Sequence, residues 1–380
     1  MKTFHNLYAL ALAFCLFSVR IRAAEPATAL KEACRPWFAV GAALPGNGLT
    51  AEEEALLAVQ FTNFTTENCL KAAIVHPDET TYAFEQGDSL IRLAEKHHLT
   101  VNGHTLIWHH TCPDWFFEDN GKPASHDLVL SRMKAHIAAV AGHYRGRIHS
   151  WDVVNEAISD KPEEYLRPTK WETSIGQDFV LEAYLAAQKA DPSAELYYND
   201  YGIEQPAKRA KALRLIRELR THGARVDGIG IQGHWETGKV PFSKIDDSIV
   251  AFHGAGLKVM ITELDLDVVP RKSGSAEVGE KEKTVEDPYA NGCPPEVLQR
   301  QAEDYAALFR LFRKHSDKIT RVTFWNLHDG RSWLNKWPRK RTNYPLLWDR
   351  QLQPKPAFFS VLQALTQPTQ TPPHFSDAAQ

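Results

Sequence analysis

Val259–Val268 reads VMITELDLDV, a run that is apolar where it starts and acidic where it ends. Successive side chains of a β-strand turn to opposite faces, so strict alternation puts Val259, Ile261, Glu263, Asp265 and Asp267 on one face. A buried strand that delivers a carboxylate to a surface fits this pattern. A structural strand whose Glu263 merely pairs with an arginine fits it too, and the rest of the chain has to decide.

On both sides of this stretch, short apolar runs alternate with longer segments whose apolar residues recur at helical spacing, which is the pattern of strand–helix units and a parallel sheet. The strand candidates are Phe38–Ala43, Phe61–Thr65, Thr100–Ile107, Ile148–Val154, Glu195–Asn199, Gly228–Ile231, Lys258–Thr262 and Thr320–Trp325. Helices are predicted over Tyr82–His98, Asp127–Tyr144, Phe179–Ala190, Ala207–His222, Ser243–His253, Glu296–His315 and Lys355–Leu365. Eight strands with interleaved helices, and no Pro, Gly or Ser linker between two halves, predict an α/β fold: one (β/α)8 TIM barrel over residues 25–366. Arg271–Pro295 is polar, follows directly on the opening strand, and reads as a long surface loop overhanging the functional face. Residues 367–380, rich in Pro, Thr and Gln, are expected to be a disordered tail.

The 380 residues are 43% hydrophobic and 24% charged, with a net charge of -3. A near-neutral chain without a basic face offers no grip on nucleic acid or acidic membranes. Residues 1–24 read as a secretory signal, with Lys2 ahead of an apolar run, Leu7–Val19, that is too short to span a bilayer. Export to the extracellular space or periplasm is expected, with no membrane association after cleavage, and the mature protein is expected to be a monomer. Its four cysteines, Cys34, Cys69, Cys112 and Cys293, permit three disulfide pairings in an oxidising compartment, or stay as buried thiols. Ten Trp and eleven Tyr suit both core packing and stacking on sugar faces.

The chemistry lies at the strand ends, which converge on one face of a parallel barrel. WDVVNEA ends the fourth strand with Asn155 and Glu156, and ITELD ends the seventh with Glu263 and Asp265. Two carboxylates facing one cleft are what glycoside hydrolysis needs, one giving a proton to the leaving oxygen and one acting as nucleophile or base. Paired carboxylates also serve as metal ligands or inert ion pairs. GHTLIWHH brings His104 and Trp108 to one side, the second strand is followed by Glu67, Asn68 and Lys71, the sixth by Gln232 and His234, and the eighth by Trp325 and then Trp333. Amides, imidazoles, an amine and indoles together describe a sugar site. The clustered His104, His109 and His110 raise zinc, but alternation sends His104 and His109 to opposite faces and no H-E-x-x-H motif is present, so no metal is expected. Phosphate-binding glycine loops and a G-x-S-x-G elbow are also absent from the sequence.

WDVVNEA, ITELD, GHTLIWH and QGHW, in this order, closely resemble family 10 of the glycoside hydrolases, the endo-1,4-β-xylanases, and the likeness runs from FAVGAAL at Phe38 to LQPKPAF at Leu352–Phe358. The resemblance implies the eight-fold barrel and endo-acting cleavage of xylan with retention of configuration, through a covalent glycosyl-enzyme and without cofactor or metal. It makes Glu156 the acid/base and Glu263 the nucleophile. It places Glu67, Asn68, Lys71, His104, Trp108, Asn155, Gln232, His234, Trp325 and Trp333 around the two sugars flanking the cut, with Asp265 supporting the nucleophile side. The sequence departs from the family where Ala72 stands for the usual tryptophan, Asn326 for a common glycine, and Cys69 and Cys112 beside binding motifs. A β-1,4-glucan hydrolase and a non-catalytic xylan-binding protein are the alternative readings.

Overall fold

The computed structural model describes residues 29–271 and 287–367. The expected signal segment 1–24, residues 368–380 of the expected tail and residues 272–286 of the expected loop lie outside the described residues.

Apolar runs too short for helices become strands here because both of their faces are covered. In chain order they are β1 (Ala39–Leu44), β2 (Asn63–Thr66), β3 (Thr100–Trp108), β4 (Ser150–Asn155), β5 (Glu195–Asp200), β6 (Gly228–Ile231), β7 (Lys258–Asp267) and β8 (Ile319–Phe324). Each pairs in parallel with its sequence neighbours, and β8 returns to β1 with Ala39 beside Arg321, so these eight close into a barrel. Two small additions stand outside it. His234–Glu236 pairs with the end of β7, His234 beside Asp265, and residues 118–119 and 122–123 form a hairpin.

Helices run between the strands where helical spacing predicts them: Glu85–His97, His126–His143, Phe179–Ala190, Pro206–Thr221, Phe242–Gly254, Pro295–Lys314 and Pro356–Thr366. Glu85–His97 shows the logic, burying Leu90, Ile91 and Ala94 on one stripe and ending where His98 turns left-handed at φ 54°. Leu30–Cys34, Ala51–Gln60, Ala72–Val75 and Lys170–Ile175 are helices that periodicity did not signal, most being too short to complete a period. Ala51–Gln60 starts from a capping box of Thr50 and Glu53. Glu53 is buried and accepts hydrogen bonds from His328 and Arg331, which pins the loop after β8 to this helix.

Inside the barrel the floor is polar: Arg321 of β8 reaches across to Asn102 of β3 and Ser150 of β4. Gly103 on β3 lets the Trp151 ring lie against the backbone, since a Cβ there would stand 2.3 Å from it. Cys34, Cys69, Cys112 and Cys293 are free thiols, so none of the three pairings forms. Burial raises the Cys69 thiol to about 12, which keeps it unreactive. Among the described residues no helix is long and apolar enough to cross a membrane.

Strict alternation fails at the mouth of the barrel. The register slips between Ile261 and Leu264 on β7, between His104 and Ile107 on β3, and between Asp152 and Val154 on β4. On β7 the consequence is visible in two neighbouring residues that reach the same side chain. Thr262 Oγ1 donates to Asn199 Oδ1 at 2.6 Å, while Asn199 Nδ2 donates to Glu263 Oε1 at 2.6 Å. Val259 and Ile261 join the apolar core instead. The expectation that Val259, Ile261 and Glu263 share a face is therefore wrong: an extra residue re-aims the strand, as bulges do beside functional sites. The zinc argument from alternation falls for a similar reason, because β3 ends at Trp108 and His109 lies beyond it.

Candidate active site

β4 stops at Asn155, and the next residue, Glu156, takes a left-handed backbone at φ 58°. That conformation costs an L-residue about 1–2 kcal/mol, and the Glu156 N–H bond to the Asn199 carbonyl at 3.0 Å helps hold it. The turn presents a carboxylate that is only 4% exposed. Oε1 accepts from Gln232 Nε2 at 2.8 Å and Asn155 Nδ2 at 3.1 Å, and Oε2 accepts from Trp108 Nε1 at 2.8 Å.

Glu263 sits in a different field. Oε1 accepts from Asn199 Nδ2, and Oε2 faces His234 Nε2 at 3.1 Å. His234 Nδ1 donates to Asp265 Oδ1 at 3.0 Å, and Asp265 Oδ2 accepts from Trp333 Nε1 at 2.8 Å. Burial alone would lower the His234 imidazolium, but Asp265 and Glu263 on its two nitrogens raise it to about 9. Burial likewise pushes the Glu263 carboxyl up, and the hydrogen bond from His234, the nearby His104 and the Asn199 amide more than offset this, holding it below the usual carboxylate range. Glu263 is thus an anion facing a cation that a second carboxylate keeps charged.

The two carboxylates are joined by amides. Asn199 Nδ2 donates both to Glu263 and to Asn155 Oδ1 at 2.9 Å, and Asn155 in turn donates to Glu156. Gln232 bonds Glu156, and of the two residues that follow the sixth strand His234 is the one that bonds Glu263. His104 donates from Nδ1 to Asp152 Oδ2 at 2.9 Å, which turns its other nitrogen away from that carboxylate. Trp325 lies edge-on to His104, with ring centres 5.3 Å apart, and to His234 at 6.2 Å. Lys71 bonds Asn68 Oδ1 at 3.0 Å and stands 4.7 Å over the Trp108 ring. Burial lowers its ammonium against the opposing pull of Glu67, Glu263 and Glu156, so all three acids lie near it. Ala72 opens a short helix directly behind this lysine. On the far side of His234 a groove of about 1000 Å³ is lined by Arg167, Tyr201, Lys208, Trp235 and Arg271.

The structure gathers every residue that the sequence singled out as a site candidate. It adds Asn199, which was not singled out. Asn199 bonds Glu263, and its position at the end of β5 is the signal that would have found it. His109 and His110 approach Glu156. Asp267, for which the sequence offered no role, is buried and accepts from Arg271 Nε at 2.8 Å, Arg341 Nη2 at 2.6 Å and Asn343 Nδ2 at 2.6 Å.

The family model for glycosyl hydrolase family 10 matches residues 29–364. The chain belongs to that family. Among curated relatives, endo-1,4-β-xylanase A of Xylanibacter ruminicola is 38% identical over 343 residues, covering 88% of this chain and 92% of its own. Endo-1,4-β-xylanase B of Paenibacillus barcinonensis is 39% identical over 327 residues, covering 86% and 95%. A family 10 endoxylanase retrieved from a sugarcane soil metagenome superposes with a TM-score of 0.84 at 37% identity, over 88% of this chain and 99% of that one. A Paenibacillus barcinonensis xylanase solved with a conduramine derivative gives 0.80 at 38% identity, over 88% and 98%.

Proposed function

We propose that Glu263 is the nucleophile and Glu156 the acid/base in the hydrolysis of internal β-1,4-xylosidic bonds. As a family 10 member matched nearly end to end by endo-1,4-β-xylanases, the protein is an endo-acting xylanase that works on xylan and xylo-oligosaccharides with retention of configuration. The observation that carries the residue roles is the unequal treatment of the two buried carboxylates. Glu263 is paired with a cation and kept ionised, as a nucleophile must be, whereas Glu156 is held by the neutral donors Gln232, Asn155 and Trp108.

In the first step Glu263 bonds to the anomeric carbon while the glycosidic bond breaks and Glu156 gives its proton to the departing oxygen. Loss of the Glu263 charge in the covalent intermediate then favours Glu156 as an anion. It removes a proton from water, the water oxygen bonds to the anomeric carbon, and Glu263 leaves. Asn155 and Gln232, which hold Glu156, and His234, which holds Glu263, supply fixed dipoles and charge at the reacting centre. Asn68, Lys71, His104 and Glu67 on one flank, with Trp108, Trp325 and Trp333, bind hydroxyls and sugar faces of the chain being cut.

Glu263→Ala should lower turnover by at least about 10⁴-fold. Azide should restore it and release a glycosyl azide of inverted configuration, because a small anion fits where the carboxylate was. Absence of rescue in correctly folded protein would remove the nucleophile assignment. Glu156→Ala should spare substrates with good leaving groups far more than xylan, and equal losses on both would count against proton donation. Export is supported by the apolar run Leu7–Val19 behind Lys2, and a monomer is proposed as the simplest assembly. N-terminal sequencing of culture-fluid protein and gel filtration test these two points.

A further inference from the structure

We propose that Lys208 is a positioning residue for Glu156, joining two hydrogen-bonded arms that hold the chain at and beyond the left-handed turn which aims the carboxyl. The inference rests on the reading of Glu156 as acid/base. One arm runs through β5. Lys208 Nζ donates to Asp200 Oδ1 at 2.9 Å, Tyr198 Oη donates to Asp200 Oδ2 at 2.6 Å, and the same hydroxyl accepts the Ile158 N–H at 3.0 Å. The other arm runs through the loop after β4. Lys208 Nζ donates to Asp160 Oδ1 at 2.7 Å, Arg167 Nη2 donates to Asp160 Oδ2 at 3.2 Å, and Arg167 Nε donates to the Glu156 carbonyl at 3.3 Å.

Lys208 is 6% exposed and lies in the first turn of helix Pro206–Thr221, where the helix dipole disfavours a cation. Burial lowers its ammonium, but Asp200 and Asp160 outweigh burial and raise it. Both carboxylates that keep it charged lead back to the segment carrying Glu156. Asp200 is fully buried, and its carboxyl is raised to about 6, chiefly by burial, against the pull of Lys208 and with a further push from the charge of Glu156. The two acids are therefore neighbours. Gln232, Asn155 and Trp108 hold the Glu156 carboxyl itself, whereas the Lys208 arms hold the backbone from which it hangs. A misplacement of about 1 Å at a reacting centre can slow a reaction on the order of 10²-fold.

Xylan needs a proton on its leaving oxygen, whereas 2,4-dinitrophenolate departs without one, so the two substrates separate acid placement from general loss of structure. The test uses the full chain and reads kcat/KM, which reports the first displacement. In Lys208→Met it should fall about tenfold or more on xylan and stay within about twofold of wild type on 2,4-dinitrophenyl β-xylobioside. Azide should raise kcat of this variant on the aryl substrate, because it bonds to the anomeric carbon as Glu263 leaves and needs no base. Tyr198→Phe keeps the ring and cuts one arm, so it should show the same selective loss in smaller measure. Circular dichroism identifies the folded variants. Equal losses on both substrates, or none on either, in a folded Lys208→Met or Tyr198→Phe protein overturn the positioning role. Glu156→Ala is measured beside them: equal losses there overturn the acid/base reading, and a selective loss there alone overturns the Lys208 arms and leaves that reading standing.

Discussion

Asn326 carries two penalties at once. Its backbone sits at φ 112°, a region that glycine occupies freely and other residues avoid, and the residue is 1% exposed with neither Nδ2 nor Oδ1 meeting a partner among the described residues. The family resemblance expects glycine at this position. Asn326→Gly should therefore stabilise the fold by about 1 kcal/mol, a rise of about 2 °C in Tm by thermal denaturation, and a fall would show that the amide is needed. His234 gives a pH prediction. Its folded pKa of about 9 lies above the unfolded value near 6.5, so its stabilising contribution is complete below pH 6.5 and is lost as pH rises through 9. Once neutral, it can donate to only one of Glu263 and Asp265. kcat/KM should decline as pH rises through 9, and a profile flat to pH 10 would contradict the charged His234. At this scale the sequence was legible for residue types and for which strand ends they occupy. Partnerships were not legible: that Gln232 holds Glu156 and Asn199 holds Glu263 follows from three-dimensional register alone.

The strands and long helices could be read from periodicity because burial imposes it, but bulges could not, since nothing in VMITELDLDV marks where the extra residue falls. Glu263 reaches the cleft through a break in alternation, and the assumption of regular alternation happened to put it on a functional face for the wrong reason. A helix–strand contact supplies the element-scale prediction. His136, on helix His126–His143, donates from Nε2 to the Leu106 carbonyl of β3 at 3.1 Å, so its Nδ1 must accept the Nδ1–H of His76 at 3.0 Å. Burial chiefly, with the neighbouring His76, lowers His136 to about 3. The unfolded chain takes up this proton near pH 6.5 and the folded chain refuses it, so stability should fall as pH drops from 6.5 toward 3, by on the order of a few kcal/mol at most. His136→Leu should cost about 1–3 kcal/mol at neutral pH, by stranding the Leu106 carbonyl and His76, and should flatten the acid limb in urea unfolding. An unchanged acid limb would assign acid sensitivity elsewhere, Glu53 being the first candidate because its carboxyl is held at about 2 by Arg331, His328 and the Thr50 backbone despite burial.

Over the whole molecule, closure of β8 onto β1 brings eight strand ends to one rim, so residues as distant in sequence as Glu53 and Arg331, 278 positions apart, come into contact. Xylan should be hydrolysed far faster than carboxymethyl cellulose. Comparable release of reducing sugar from both would favour the glucan alternative, and none from either the binding protein. EDTA alone should leave the rate on xylan unchanged, because no step above requires a cation. Asp267 has a longer consequence. Clamped by Arg271, Arg341 and Asn343, it lies in the chain between Glu263 and Arg271, so a disturbance that reaches Arg271 meets a buried charged knot before it reaches Glu263. Such a firebreak uncouples the two stretches of sequence on either side of it. Descendants of this sequence are free to vary the residues after Arg271 while inheriting the carboxylate pair intact.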